Sequence, residues 1–248
     1  MTNKSKPMRY GMADTDGFVS PSRKACLAPT RFIDSGHRSI RELAVQLAPA
    51  TAGPAERAAG LFNFVRDRIW YEFMAKLDAE AYVASNVLAE GKGFCVRKAV
   101  LLCALGRAAG IPTALVLSDV RDDTLPPKLA EGMGTKVLYH HGLVAFHLDE
   151  RWIKADASLS PDVVEKKGYR LVQFNGRDDA LLAPTTANGD PHAAYLTWHG
   201  MYADLPFAQM IAAFHAGYRG GDPYVLELIG VLPPGSGHPA GKPEESIQ

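Results

Sequence analysis

The sequence has no surplus of charge of either sign: 27 Lys and Arg face 27 Asp and Glu across 248 residues. That balance removes a general electrostatic pull toward nucleic acid or an anionic membrane, so neither is expected as a partner. No run of 18 apolar residues exists, so no helical membrane span is expected. The opening MTNKSKPMRYGMADTDG lacks the apolar core of a secretory signal. Cysteine is scarce. Cys26, Cys95 and Cys103 are odd in number and lack CxxC spacing. This argues against a disulfide framework and for a reducing, cytoplasmic setting. No internal repeat is visible. What remains is an ordinary globular composition, 47% hydrophobic, on a chain long enough to bury a real core.

Residues 1–30, rich in Pro, Ser, Gly and charge, read as an extended N-terminal arm, and the Pro/Gly-rich 229–248 as a disordered tail. The single domain expected between them spans 31–228. "DSGHRSIRELAVQLAP" offers Asp34 or Ser35 as N-cap and places Ile40, Leu43, Ala44 and Leu47 at helical spacing. A second helix starts near Pro54 with the stripe Ala58, Leu61, Phe62, Val65, Ile69. Residues 72–94 read as irregular, with a short helix near Ala84 to Leu88. A helix from Cys95, apolar around nearly its whole circumference, is expected to be buried and to end at Gly110 as C′ residue before Pro112. "TALVLSDV" reads as a strand, "RDDTLPPKLAEGMGTK" as a long polar loop, "VLYHHGLVAFHLDERWIKADAS" as a hairpin, "YRLVQF" as another strand and "DLPFAQMIAAFHAGYR" as a late helix. Helices first, then mostly antiparallel strands, is an α+β order.

Why does one cysteine follow GKGF and open a buried helix? Unpaired N–H groups and the positive end of the helix dipole at that position favour a thiolate. Gly91 and Gly93 leave it uncrowded. The hairpin supplies a partner. A two-residue turn at Asp149-Glu150 pairs Leu148 with Arg151, His147 with Trp152, Ala145 with Lys154 and Leu143 with Asp156. Alternation then puts Val144, Phe146, Leu148, Ile153 and Ala155 on one face. The other carries His141, Leu143, Ala145, His147, Trp152, Lys154 and Asp156. His141 and Asp156 lie one diagonal step apart, about 7–8 Å at the backbone, within reach of an imidazole and a carboxylate. A carboxylate that fixes the tautomer of a histidine is the orienting member of a nucleophilic triad. The buried helix is expected to cover the Leu143 and Ala145 face.

GKGFCVRKAVLLCALGRAAGIPTALV resembles the transglutaminase-like motif of Gly-x-Cys followed by a helix ending in Arg-Ala-x-Gly-Ile-Pro. HGLVAFHLDERWIKAD resembles its second block, and the order Cys, His, Asp agrees. The resemblance covers about residues 30–160 and implies a papain-like α+β core, with the cysteine-bearing helix packed on an antiparallel sheet. It makes Cys95 the nucleophile, His141 the general base and acid, and Asp156 the orienting carboxylate. Donors to the oxyanion are the Cys95 backbone N–H, with Tyr71 and Asn86 as side-chain candidates. The implied reaction is acyl transfer from a peptide, amide or thioester through a thioester intermediate. Water as acceptor makes an amidase or peptidase; an amine makes a transglutaminase-type ligase. Two alternatives stand beside it: a biosynthetic amide-forming acyltransferase fed by a carrier thioester, and a non-catalytic binding module. No cofactor is implied.

Other residues compete for these roles. Cys103, inside the apolar helix, reads as structural, and Cys26 as incidental. His140 falls on the opposite face, and His147 packs on Trp152. Zinc on Cys95, Cys103, His140, His141 and His147 is disfavoured, because the two cysteines lie over ~10 Å apart along one helix. Arg97-Lys98 reads as a solvated face.

Overall fold

The computed structural model describes residues 20–218; the expected tail and most of the expected arm lie outside them. Helices come first: α1 (Arg38–Leu47), α2 (Pro54–Arg68), α3 (Ala84–Glu90) and α4 (Cys95–Ala108). Two short strands, β1 (Trp70–Tyr71) and β2 (Lys92–Gly93), pair in parallel between them. There follow β3 (Thr113–Asp122), α5 (Pro127–Met133), β4 (Val137–Leu148), β5 (Arg151–Ala155), α6 (Pro161–Lys167), β6 (Ala193–Tyr202) and α7 (Phe207–Gly217). The antiparallel sheet has the order β5-β4-β3-β6. The expected α+β order, with a buried cysteine-bearing helix on an antiparallel sheet, is therefore the observed one.

α4 is buried from Cys95 through Arg107. It stops where Gly110 turns left-handed (φ 75). There Gly110 N–H donates to the Arg107 carbonyl and Ile111 N–H to that of Gly106, satisfying carbonyls that the helix end leaves open. The hairpin register is as the alternation requires: Leu148 opposite Arg151, His147 opposite Trp152, Ala145 opposite Lys154. Asp149 and Glu150 both take positive φ, 48 and 61, the conformation of the tight hairpin turn whose twist matches its strands.

The helix covers the face opposite to the one expected. Val144, Phe146, Leu148, Ile153 and Ala155 join α4 in the main core. A β-carbon on Gly142, of the same parity, would lie 2.6 Å from Val96 Cα. Leu143 and Ala145 instead pack with Cys26, Ala114, Val116 and Met201 in a second, smaller core. Cys26 is thus a core residue rather than an incidental one. Its carbonyl accepts the Thr113 N–H at 2.9 Å, so residues 20–30 fold against the sheet.

Arg97 and Lys98 are fully buried, not solvated. Lys98 Nζ donates to the carbonyls of Ile69 (2.7 Å) and Arg66 (3.3 Å), groups orphaned at the end of α2. Arg97 donates to the Ala81 carbonyl at 2.7 Å and bonds Glu90. Asp34 does not cap α1, whose N-cap is His37; its carboxylate accepts the Ser85 N–H in the first turn of α3. The 121–136 segment is not loop throughout, since α5 forms within it. YRLVQF forms no strand. Val172 and Phe174 pack inward, Phe174 on Phe62 and Phe146, and the Val172 carbonyl accepts from the Arg66 guanidinium. No helix among the described residues is long and apolar enough to cross a membrane.

Candidate active site

Cys95 opens α4 and is 6% exposed. As the first helical residue its N–H has no intrahelical acceptor. The parallel β1–β2 pair sets Tyr71 opposite Gly93, beside the helix start. Cys95, His141 and Tyr71 line one narrow cavity of about 50 Å³, together with Phe73, Phe94 and Tyr218.

His141 Nε2 lies 2.6 Å from Asp156 Oδ2. An ionised carboxylate only accepts, so Nε2 carries the proton and Nδ1 is the ring's other working atom. Nδ1 has no aligned hydrogen bond among the described residues. The Cys95 sulfur is nevertheless close enough to strengthen the ring's hold on a proton. Hydrogen bonds of this kind are commonly long or misaligned before substrate binds. Burial opposes charging the imidazole, but Asp156 and Cys95 outweigh it, and the His141 pKa is held well above its ordinary value.

Asp156 lies just past β5 and is 1% exposed. Its Oδ1 accepts the Ser158 N–H at 3.0 Å, and its Oδ2 the Tyr195 hydroxyl at 2.7 Å as well as His141. Burial favours the neutral acid, yet His141 and these donors keep the carboxyl below its usual range. Burial, then Asp156, raises the Tyr195 hydroxyl well above the tyrosine value, so it remains a donor.

The structure brings Cys95, His141, Asp156 and Tyr71 together. It does not bring Asn86, whose side-chain amide donates to the Glu80 carbonyl at 2.9 Å. His147 stacks edge-on against Trp152 at 5.1 Å. Cys103 is fully buried, and burial pushes its thiol up to about 12. Two partners of Asp156 were missed. Ser158 carries a legible signal, because an aspartate whose carboxylate binds the N–H two residues on is a common turn. Tyr195 sits 39 residues downstream on a strand whose bulges break the alternation that would reveal it.

A second cavity of about 270 Å³ adjoins the first, sharing Tyr71, Phe73, Leu138 and His141. Its walls are largely apolar, with Leu125, Leu129 and Leu182 among them. Ser158 Oγ, buried there, has no hydrogen-bond partner among the described residues, and His192 Nδ1 has no aligned one, although the Ala183 carbonyl lies near its ring.

The helix start and the hairpin thus fall within one α+β module, the helix packed on the antiparallel sheet. Residues 41–157 match the family model of the transglutaminase-like superfamily. Among solved structures, the chain is similar to a protein described as a candidate cysteine protease from Cytophaga hutchinsonii. The identity is 19% and the TM-score 0.49, over 79% of this chain and 51% of that one. It is also similar to the periplasmic domain of TgpA from Pseudomonas aeruginosa, with 24% identity and a TM-score of 0.40, over 54% of this chain and 46% of that one. The chain therefore spans about half the length of those structures. No curated protein matches it.

Proposed function

We propose that the protein is a cysteine-dependent acyl-transfer enzyme acting on a peptide, amide or thioester. The observation that carries this reading is the continuous chain from the Cys95 cavity through His141 to a fully bonded Asp156, with Nε2–Oδ2 at 2.6 Å.

The Cys95 thiolate attacks the substrate carbonyl carbon and forms a C–S bond. The oxygen takes up the negative charge, and the Cys95 N–H and the Tyr71 hydroxyl, which border the same cavity, are the donors assigned to meet it. Burial and the neighbouring thiol keep Tyr71 protonated well above the ordinary tyrosine value. As the intermediate collapses, the bond to the leaving amine breaks, and His141 passes its proton to that nitrogen. Water or an incoming amine then attacks the thioester, gives a proton to His141 and releases the thiolate. Asp156, held by Tyr195 and Ser158, orients the ring throughout. The apolar walls of the second cavity suit an acyl donor with an aliphatic or aromatic segment next to the scissile bond. Ser158 Oγ and His192 Nδ1 offer that segment two polar anchors.

Intact-mass analysis tests this reading. Incubation with panels of amides and thioesters should trap an acyl adduct that Cys95→Ser lacks, with apolar acyl groups reacting fastest. Iodoacetamide should alkylate Cys95 before Cys103 or Cys26. Faster labelling of Cys103, or no adduct from any donor, sinks the proposal.

A further inference from the structure

A separate group of ionisable side chains converges where the sheet departs from regularity. Between the pairs Ser118–His141 and Val120–Leu138, β3 contributes Asp119 alone while β4 contributes both Tyr139 and His140. On the other side of β3, the pairs Leu117–Gly200 and Ser118–Trp198 leave His199 as the extra residue of β6. Bulges of this kind re-aim side chains at the expense of ladder bonds. Here two of them, in the strands on either side of β3, each deliver a histidine to the same aspartate.

The local geometry follows from that convergence. His140 takes φ 51, a left-handed conformation uncommon outside glycine. Its N–H leaves the ladder and donates to Asp119 Oδ1 at 3.0 Å. His199 Nε2 lies 2.7 Å from the same oxygen, and His140 Nδ1 lies 4.0 Å from it. The two rings stack with centroids 4.2 Å apart. One ligand atom from each of the three side chains lies within 4.8 Å of the others. His140 is 6% exposed, yet neither of its ring nitrogens has a hydrogen-bond partner among the described residues. Burying unused polar atoms is costly, and here the ring stacks on a second imidazole with its Nδ1 4.0 Å from a carboxylate oxygen. The side chains of His199 and Asp119 keep some solvent access, 22% and 15%, so an ion has a way in.

We propose that Asp119, His140 and His199 bind a divalent transition-metal ion, zinc being the best fit. Two imidazoles and one carboxylate, with a fourth position open to water, is a common zinc set. Calcium and magnesium are disfavoured, because they take oxygen ligands. Metal–nitrogen bonds of about 2.0–2.1 Å require the three side chains to draw inward. The His199–Asp119 hydrogen bond then gives way to one metal bond from each, and the His199 proton moves to Nδ1. The ion would tie β4, β3 and β6 together one residue from His141. It is a positioning metal, and only that consequence rests on the proposed acyl transfer. This site uses just one of the histidines weighed from sequence, and neither cysteine in question.

The test uses the full chain, stripped of metal. Calorimetric titration with Zn²⁺ should show one equivalent bound, and Co²⁺ should give the intense visible absorption of a tetrahedral site. His199→Gln and Asp119→Asn should weaken binding by at least about 100-fold, the upper end of what even an outer-shell change costs. His140→Asn, which tolerates the left-handed backbone, should do the same. Zinc should raise the melting temperature of the wild type and not of these variants. Cys95→Ala should bind zinc normally while forming no acyl adduct, which separates this site from the thiol. Absence of stoichiometric binding, binding unchanged in folded His199→Gln and His140→Asn, or binding lost in Cys95→Ala would overturn the proposal.

Discussion

His140 and His141 are consecutive residues of almost equal burial, 6% and 3% exposed, with opposite surroundings. His141 has a carboxylate on Nε2 and a thiol near Nδ1, and its affinity for a proton is raised well above the ordinary value. Among the described residues His140 has hydrogen bonds on neither ring nitrogen, and burial, aided by His199, holds its pKa down to about 4 against the pull of Asp119. The bulge separates them. Burial alone therefore says little about a buried base; the partners it meets decide what it does.

The largest break in the comparison is His141→Ala. Single-turnover acylation should vanish while circular dichroism shows a retained fold. Acylation surviving in that variant and lost in folded His147→Ala would refute the assignment. Asp156→Asn comes next. By analogy with other triads it preserves the geometry but favours the wrong tautomer, at a cost of up to ~10⁴ in acylation rate.

A third buried base sharpens the contrast. Among the described residues Lys98 donates to neutral carbonyls alone, and burial lowers its pKa to about 7, although Asp156 and other carboxylates oppose the shift. The unfolded chain holds this proton up to about 10.5, so between about 7 and 10.5 the unfolded state binds more protons and stability rises with pH. The penalty is complete below about 7. Lys98→Met should remove that slope, and urea unfolding at pH 7 and 9.5 should show the wild type gaining a few kcal/mol more than the variant. Equal gains would show that Lys98 folds without losing proton affinity.

Smaller effects follow. Tyr195→Phe removes one of the donors to Asp156, worth about 1.5 kcal/mol for a bond to a charged group, or roughly tenfold in acylation rate. His147→Ala should loosen the contact with Trp152 and lower the melting temperature. Its acylation rate should stay within about tenfold, or ~1.4 kcal/mol of barrier.

The hairpin was legible because two independent signals agree: a strict apolar alternation and a two-residue turn that allows one register. α4 was legible for a similar reason, with a glycine stop after a run apolar around nearly its whole circumference. β6 was not read. Its bulges at Leu196 and His199 shift the parity of AAYLTWHGMY, so no single face reads as apolar. α5 carried its own start and stop, Pro127 in the first turn and Gly134 left-handed at the end, hidden in a stretch dominated by polar residues. The burial of Arg97 and Lys98 depends on carbonyls 16 to 32 residues earlier, beyond the reach of a local pattern.

Gly142 sets the spacing of the site. Because it has no side chain, the main chain of β4 rests directly against the main chain of α4 at Val96, one residue from the base on one side and one from the nucleophile on the other. In an assembled instrument this would be the datum face from which other parts are gauged. A methyl group at position 142 would act as a shim and move both base and nucleophile.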